Sequence, residues 1–130
     1  MAKRFDPMKA KSAATTALDR YTEGDANGTR HALYDLFRLF DSNNFNEYTS
    51  RLLNAATQRP YKDGMTPTDT MQEIVAGLRA SLADIAKYAR KQDFTNPEIL
   101  TYLGVVRTYF ECMRHYEEEI DASFSRQQSH

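Results

Sequence analysis

Residues 66–124 read TPTDTMQEIVAGLRASLADIAKYARKQDFTNPEILTYLGVVRTYFECMRHYEEEIDASF, and this stretch decides the fold class. Met71, Ile74, Val75, Leu78, Leu82, Ile85 and Ala89 recur mostly at intervals of three or four, which puts them on one face of an α-helix. Thr66 is placed to cap that helix and Pro67 to open it, because the first turn has no use for the N–H that proline lacks. The pattern predicts a helix to about Gln92. After the short loop Asp93-Phe94-Thr95, Asn96 is placed to cap and Pro97 to open a second helix reaching about Ser123, with Glu98 at its positive end. Its stripe is Ile99, Leu103, Val106, Phe110, Met113, Ile120 and Phe124, interrupted by Glu117. At about 1.5 Å per residue each helix spans roughly 40 Å. So short a loop predicts that they run back alongside each other as a long antiparallel C-terminal hairpin.

Three shorter helices are expected before it. The first covers about Pro7 to Glu23, with Asp6 as cap and Gly24 as stop. Its apolar face is thin (Ala10, Ala14, Ala17, Leu18, Tyr21), which lets a neighbour approach closely. The second covers about Thr29 to Asp41, with Leu33, Leu36, Phe37 and Phe40 on one side. Tyr34 and Leu39 fall off that side, and a helix apolar on more than one side is either central or touches a partner. The third covers about Asn44 to Thr57, with Phe45, Tyr48, Leu52 and Ala56 as its stripe and a capping-box pair in Asn44 and Glu47. Residues 59–66, with Pro60 and Gly64, read as a loop. The expected fold is all-α, a five-helix bundle built on the C-terminal hairpin, as one helical domain over residues 1–130.

Composition narrows the function classes. Hydrophobic residues are 41% and charged residues 27%, a balance able to build a packed core. The net charge of −1 supplies no global field to draw in nucleic acid or an anionic membrane. No apolar run approaches the length of a membrane span, and the basic N-terminus lacks the apolar stretch of a secretory signal. The single cysteine, Cys112, rules out an intramolecular disulfide and points to a reducing, cytoplasmic setting.

The candidate chemical motifs fail on spacing. Glu23, Asp25, Asn27 and Gly28 imitate part of a calcium loop, but the closing bidentate carboxylate would fall on Tyr34. Glu111 and His115 lie four apart, on the wheel opposite the apolar stripe, and no second Glu/His helix accompanies them. Three histidines and one cysteine leave no nucleophile–base set to propose, and there is no glycine-rich phosphate loop. No catalytic residue, metal ligand or cofactor is expected, and the chain reads as a non-enzyme.

Two sets of residues remain as candidate sites. Tyr102, Tyr109 and Tyr116 repeat at sevens along the last helix, with Tyr88 opposite and Phe124 beyond. They suggest a partner-binding ridge, since tyrosine is enriched at protein contacts. Lys3, Arg4, Lys9 and Lys11 form one basic cluster, and Lys87, Arg90 and Lys91 another. With eleven arginines against six lysines, these clusters are the candidate phosphate contacts. The leading expectation is a non-enzymatic protein–protein interaction module: an adaptor, chaperone, inhibitor or assembly subunit that has a protein partner or forms a homo-oligomer. The alternative is a nucleic-acid-binding small subunit of a larger ribonucleoprotein or of a phage or defence complex. The hairpin outline is common to unrelated helical proteins, and no motif assigns it to one.

Overall fold

The computed structural model describes residues 5–40, 43–57, 67–94 and 96–128. The described residues form five helices: α1 Pro7–Thr22, α2 Ala26–Phe40, α3 Asn43–Thr57, α4 Pro67–Arg90 and α5 Glu98–Gln128. Thr66 and the expected 59–66 loop lie outside the described residues. No strand occurs among those described.

The helix ends follow their local chemistry. Asp6 caps α1, its carboxylate accepting from the Met8 N–H at 2.9 Å. At the far end Gly24 turns left-handed (φ 78°), and two crossed hydrogen bonds, Gly24 N–H to Tyr21 and Asp25 N–H to Arg20, close the helix. Asp25 then caps the next helix, accepting from the Gly28 N–H at 2.9 Å. For that reason α2 begins at Ala26 rather than near Thr29. The same motif ends α4, with Gln92 left-handed (φ 57°) and N–H bonds from Gln92 to Ala89 and from Asp93 to Tyr88. The helix therefore stops at Arg90, two residues before the expected end. Asn96 caps α5 through the Glu98 N–H at 2.9 Å.

The long helix α5 is the hub, packing chiefly against α1 and α4, with α3 on a third side. Ile99, Leu103, Val106, Phe110, Met113 and Ile120 are all buried, so the periodic stripe is the core. The thin face of α1 serves as expected: Ala10, Ala14 and Ala17 are fully buried between α2 and α5. On the α4–α5 seam, Tyr88 donates to Glu98, the Tyr88 and Tyr102 rings lie 6.2 Å apart, Tyr102 lies beside Asp84, and Tyr109 lies over Gly77. A side chain at position 77 would place its Cβ 2.5 Å from the Tyr109 hydroxyl, so the close approach there requires glycine.

An aromatic cluster ties the N-terminus to the core. Phe5, just before the α1 cap, is 4% exposed and meets Phe40, Phe45, Tyr48 and Phe110 at centroid distances of 5.1–6.1 Å. Ile120 is buried as well, so its cover comes from within the chain, where Phe5 and Pro7 lie beside Glu117 and Asp121. Glu117, which interrupts the stripe, accepts a 2.7 Å hydrogen bond from the Tyr48 hydroxyl and faces Arg51 at 3.5 Å. Both partners come from α3. A carboxylate inside an apolar arc is tolerated where it is bonded in this way.

Candidate functional site

The expected partner ridge is half-buried. The Tyr88, Tyr102, Tyr109 and Tyr116 rings pack against the core, and the Tyr116 hydroxyl oxygen is buried. The Phe124 side chain lies outside the described residues. The hydroxyls of the other three turn into the α4–α5 seam. Its hydrogen bond to Glu98, then desolvation and the carboxylate charges nearby, push the Tyr88 phenol up to about 12. Tyr102 is raised for the same kind of reason, chiefly by its bond to Asp84.

Of the basic residues, Lys3 and Arg4 lie outside the described residues. Lys11 is paired with Glu111, whose carboxyl is held below its ordinary value mainly by that hydrogen bond. Glu111 also reaches Arg114 and His115, so it is a half-covered link between α1 and α5 rather than a solvated residue opposite the core. Lys9, Lys87, Arg90 and Lys91 are exposed. The described members of the two clusters do not converge. Lys11 sits at the level of Glu111 on α5 and Tyr88 at the level of Glu98, a separation of about 20 Å along one helix at about 1.5 Å per residue.

Most of the described arginines are committed within the chain. Arg20 pairs with Glu23, Arg51 with Glu117 and Arg114 with Glu111 and Glu118. Arg30 covers the Phe94 ring at 4.9 Å, while Arg79 covers Phe45 and donates to Asn46. Arg90 donates weakly to the Ala86 carbonyl. Among the arginines whose side chains are described, Arg38 and Arg107 are the exceptions, with no hydrogen bond or ion pair to another described residue.

Arg38 lies in an open aromatic region on α2. α2 buries Thr29, Ala32, Leu33 and Leu36. It packs chiefly on α1 at the edge of the assembly, and its Phe40 ring reaches Phe110 of α5. Tyr34 points away from that seam and is 52% exposed; with Met8 it is one of the two exposed large apolar side chains among the described residues. Tyr34, Phe37, Arg38 and Phe40 line an open cleft of about 420 Å³. Tyr34 and Arg38 are one helical turn apart and share a face. Arg38 also sits in the last turn of α2, where a cation complements the negative end of the helix. Phe37 and Arg38 were not legible as a site in the sequence: Phe37 reads as part of the apolar face of α2, and no motif singles out Arg38. The available signal was the presence of Tyr34 on the polar side of α2.

No three His, Cys, Asp or Glu side chains among the described residues are grouped to hold a metal ion. Cys112 is exposed. No helix among the described residues is long and apolar enough to cross a membrane. No protein-family model matches the chain, and neither a curated protein nor a solved structure matches it.

Proposed function

We propose that this chain is a non-enzymatic protein–protein interaction module, an adaptor, inhibitor, chaperone or assembly subunit working in the cytoplasm, and that it engages its partner through α2. One observation carries the reading. α2 is apolar on more than one side yet sits at the edge, leaving Tyr34 and the rims of Phe37 and Phe40 around an open cleft. Tyrosine, phenylalanine and arginine in one patch are the composition of an energetic anchor at protein contacts. The rigid part of the module is the five-helix bundle built on an antiparallel α4–α5 hairpin. The seam pairs 88/98, 84/102 and 77/109 support that hairpin, because one number falls as the other rises. The alternative, a nucleic-acid-binding small subunit, requires the basic clusters to share a face. Their separation and the internal use of most arginines favour the protein reading.

A photo-crosslinking phenylalanine derivative placed at position 34, and in a separate chain at Lys87, tests the proposal in the cells that make the protein. Discrete protein adducts from position 34 and none from position 87 are expected. Adducts from 87 alone, or adducts from 34 that absorb at 260 nm and are degraded by nuclease, overturn it.

A further inference from the structure

The chemistry of the partner follows from Arg38, the one charged group among the described residues that line the cleft, and this step rests on the α2 reading above. The cleft is open, so it suits side chains projecting from another polypeptide better than an enclosed small molecule. Its walls are Tyr34, Phe37 and Phe40, which seat an apolar or aromatic anchor. Arg38 stands at the same rim with its guanidinium uncommitted among the described residues, whereas Arg20, Arg30, Arg51, Arg79 and Arg114 are each occupied inside the chain. A guanidinium fork matches a carboxylate with two parallel N–H bonds, and it loses less on desolvation than an ammonium does. Among the described residues, the other charged or titratable groups on this outer face are Tyr34, His31 and Asp35, all exposed, and neither His31 nor Asp35 is bonded to Arg38. A second copy of the chain is a poorer occupant: a two-fold pairing centred on the cleft sets Arg38 against its own counterpart.

We infer that the α2 cleft binds an acidic peptide segment, seating an apolar side chain among Tyr34, Phe37 and Phe40 and holding an Asp or Glu, about one helical turn from that anchor, on Arg38. The partner is then an acidic amphipathic helix or an extended acidic stretch of another protein.

The test is a selection of displayed random peptides of about 12 residues against the immobilised full chain. Selected peptides are then measured by fluorescence anisotropy on the wild type, Arg38→Glu, Tyr34→Ala and Arg107→Glu, each checked for an unchanged melting curve. The expected consensus places Leu, Phe or Trp three or four residues from Asp or Glu. Arg38→Glu is expected to weaken binding by about tenfold or more, as loss of an anchoring charge pair does. Arg107→Glu leaves binding within about twofold, and a Lys in place of the peptide acid restores binding to Arg38→Glu. A consensus without acids, or binding that Tyr34→Ala weakens and Arg38→Glu does not, overturns the acidic partner while leaving the α2 surface standing. Binding indifferent to both substitutions, or no enriched peptide at all, overturns the inference, and indifference to both also removes the α2 surface. If a single-stranded oligonucleotide binds the wild type and loses its binding in Arg38→Glu, the cleft serves phosphate instead, and the inference falls.

Discussion

Replacing Phe5 with alanine removes the ring that fastens the chain's N-terminal segment to the core. Phe5 is 4% exposed and meets four aromatic side chains drawn from α2, α3 and α5. Deleting a buried phenylalanine side chain costs about 3–5 kcal/mol. The site adjoins a surface cleft shared by Asp6, Pro7, Glu117 and Asp121, which eases relaxation of the void, so the lower part of that range applies, about 3–4 kcal/mol. Unfolding entropy of about 2.1 cal/mol/K per residue gives roughly 0.27 kcal/mol/K for a chain of this length, so the melting midpoint should fall by about 11–15 °C. Calorimetry, or circular dichroism melts paired with urea titration, reads this directly. Met8→Ala serves as control: Met8 lies three residues on and is 41% exposed, so its removal should stay within about 0.5 kcal/mol. A fall of under about 3 °C for Phe5→Ala, with the urea dependence unchanged, would show that the aromatic cluster holds without its N-terminal member, and the argument would fail.

Three further outcomes are expected. Gly77→Ala should destabilise the wild type, because the new Cβ meets the Tyr109 hydroxyl; in a Tyr109→Ala background it should instead stabilise by about 1 kcal/mol from helix propensity alone. Urea midpoints of the four proteins measure the coupling, and strict additivity would refute the contact. Gln92→Gly should raise stability by about 0.5–1 kcal/mol, since Gln92 holds a left-handed conformation that costs a residue with a Cβ; a neutral or lower melting point would count against it. Tyr88 and Tyr102 should ionise above the ordinary range in absorbance titration at 295 nm, Tyr88 near 12. Their folded values are raised, so the fold favours the protonated phenols. That contribution is intact below about pH 10 and is lost as pH climbs through the folded values. Tyr88→Phe should accordingly flatten the alkaline fall of the melting point, and an identical slope in the variant would contradict the pairing with Glu98.

How much was legible varies by element. The stripe Ile99, Leu103, Val106, Phe110, Met113 and Ile120 was readable at once, because helical period and burial coincide in it. The alanine face of α1 was readable as a place of close approach, though not the identity of its neighbours. Phe5 was not readable: it is a lone aromatic beside basic residues, in no periodic run, and it gains meaning only where four rings from other helices surround it. Glu117 was visible as an interruption, but Tyr48 and Arg51 lie far away in sequence and no local rule pairs them with it. The tyrosine repeat was visible as a ridge and read as a partner-binding surface; the structure packs its rings against the core. Its hydroxyls turn inward because Asp84, Glu98 and Gly77 happen to face them across the seam.

Local physics therefore settled what each segment becomes. Hydrophobic period, Asp6, Asn96, Pro67 and Gly24 set five helices and most of their ends, because capping and period act over a few residues. Which helix stands at the centre, and which is left at the edge with Tyr34 and Arg38 uncovered, depends on how five amphipathic faces share one core. That partition is a property of the whole chain. A helix with apolar residues on two sides has the same sequence whether its second side meets the core, a partner or water, so only the tertiary structure could turn α2 outward and make its cleft the candidate site.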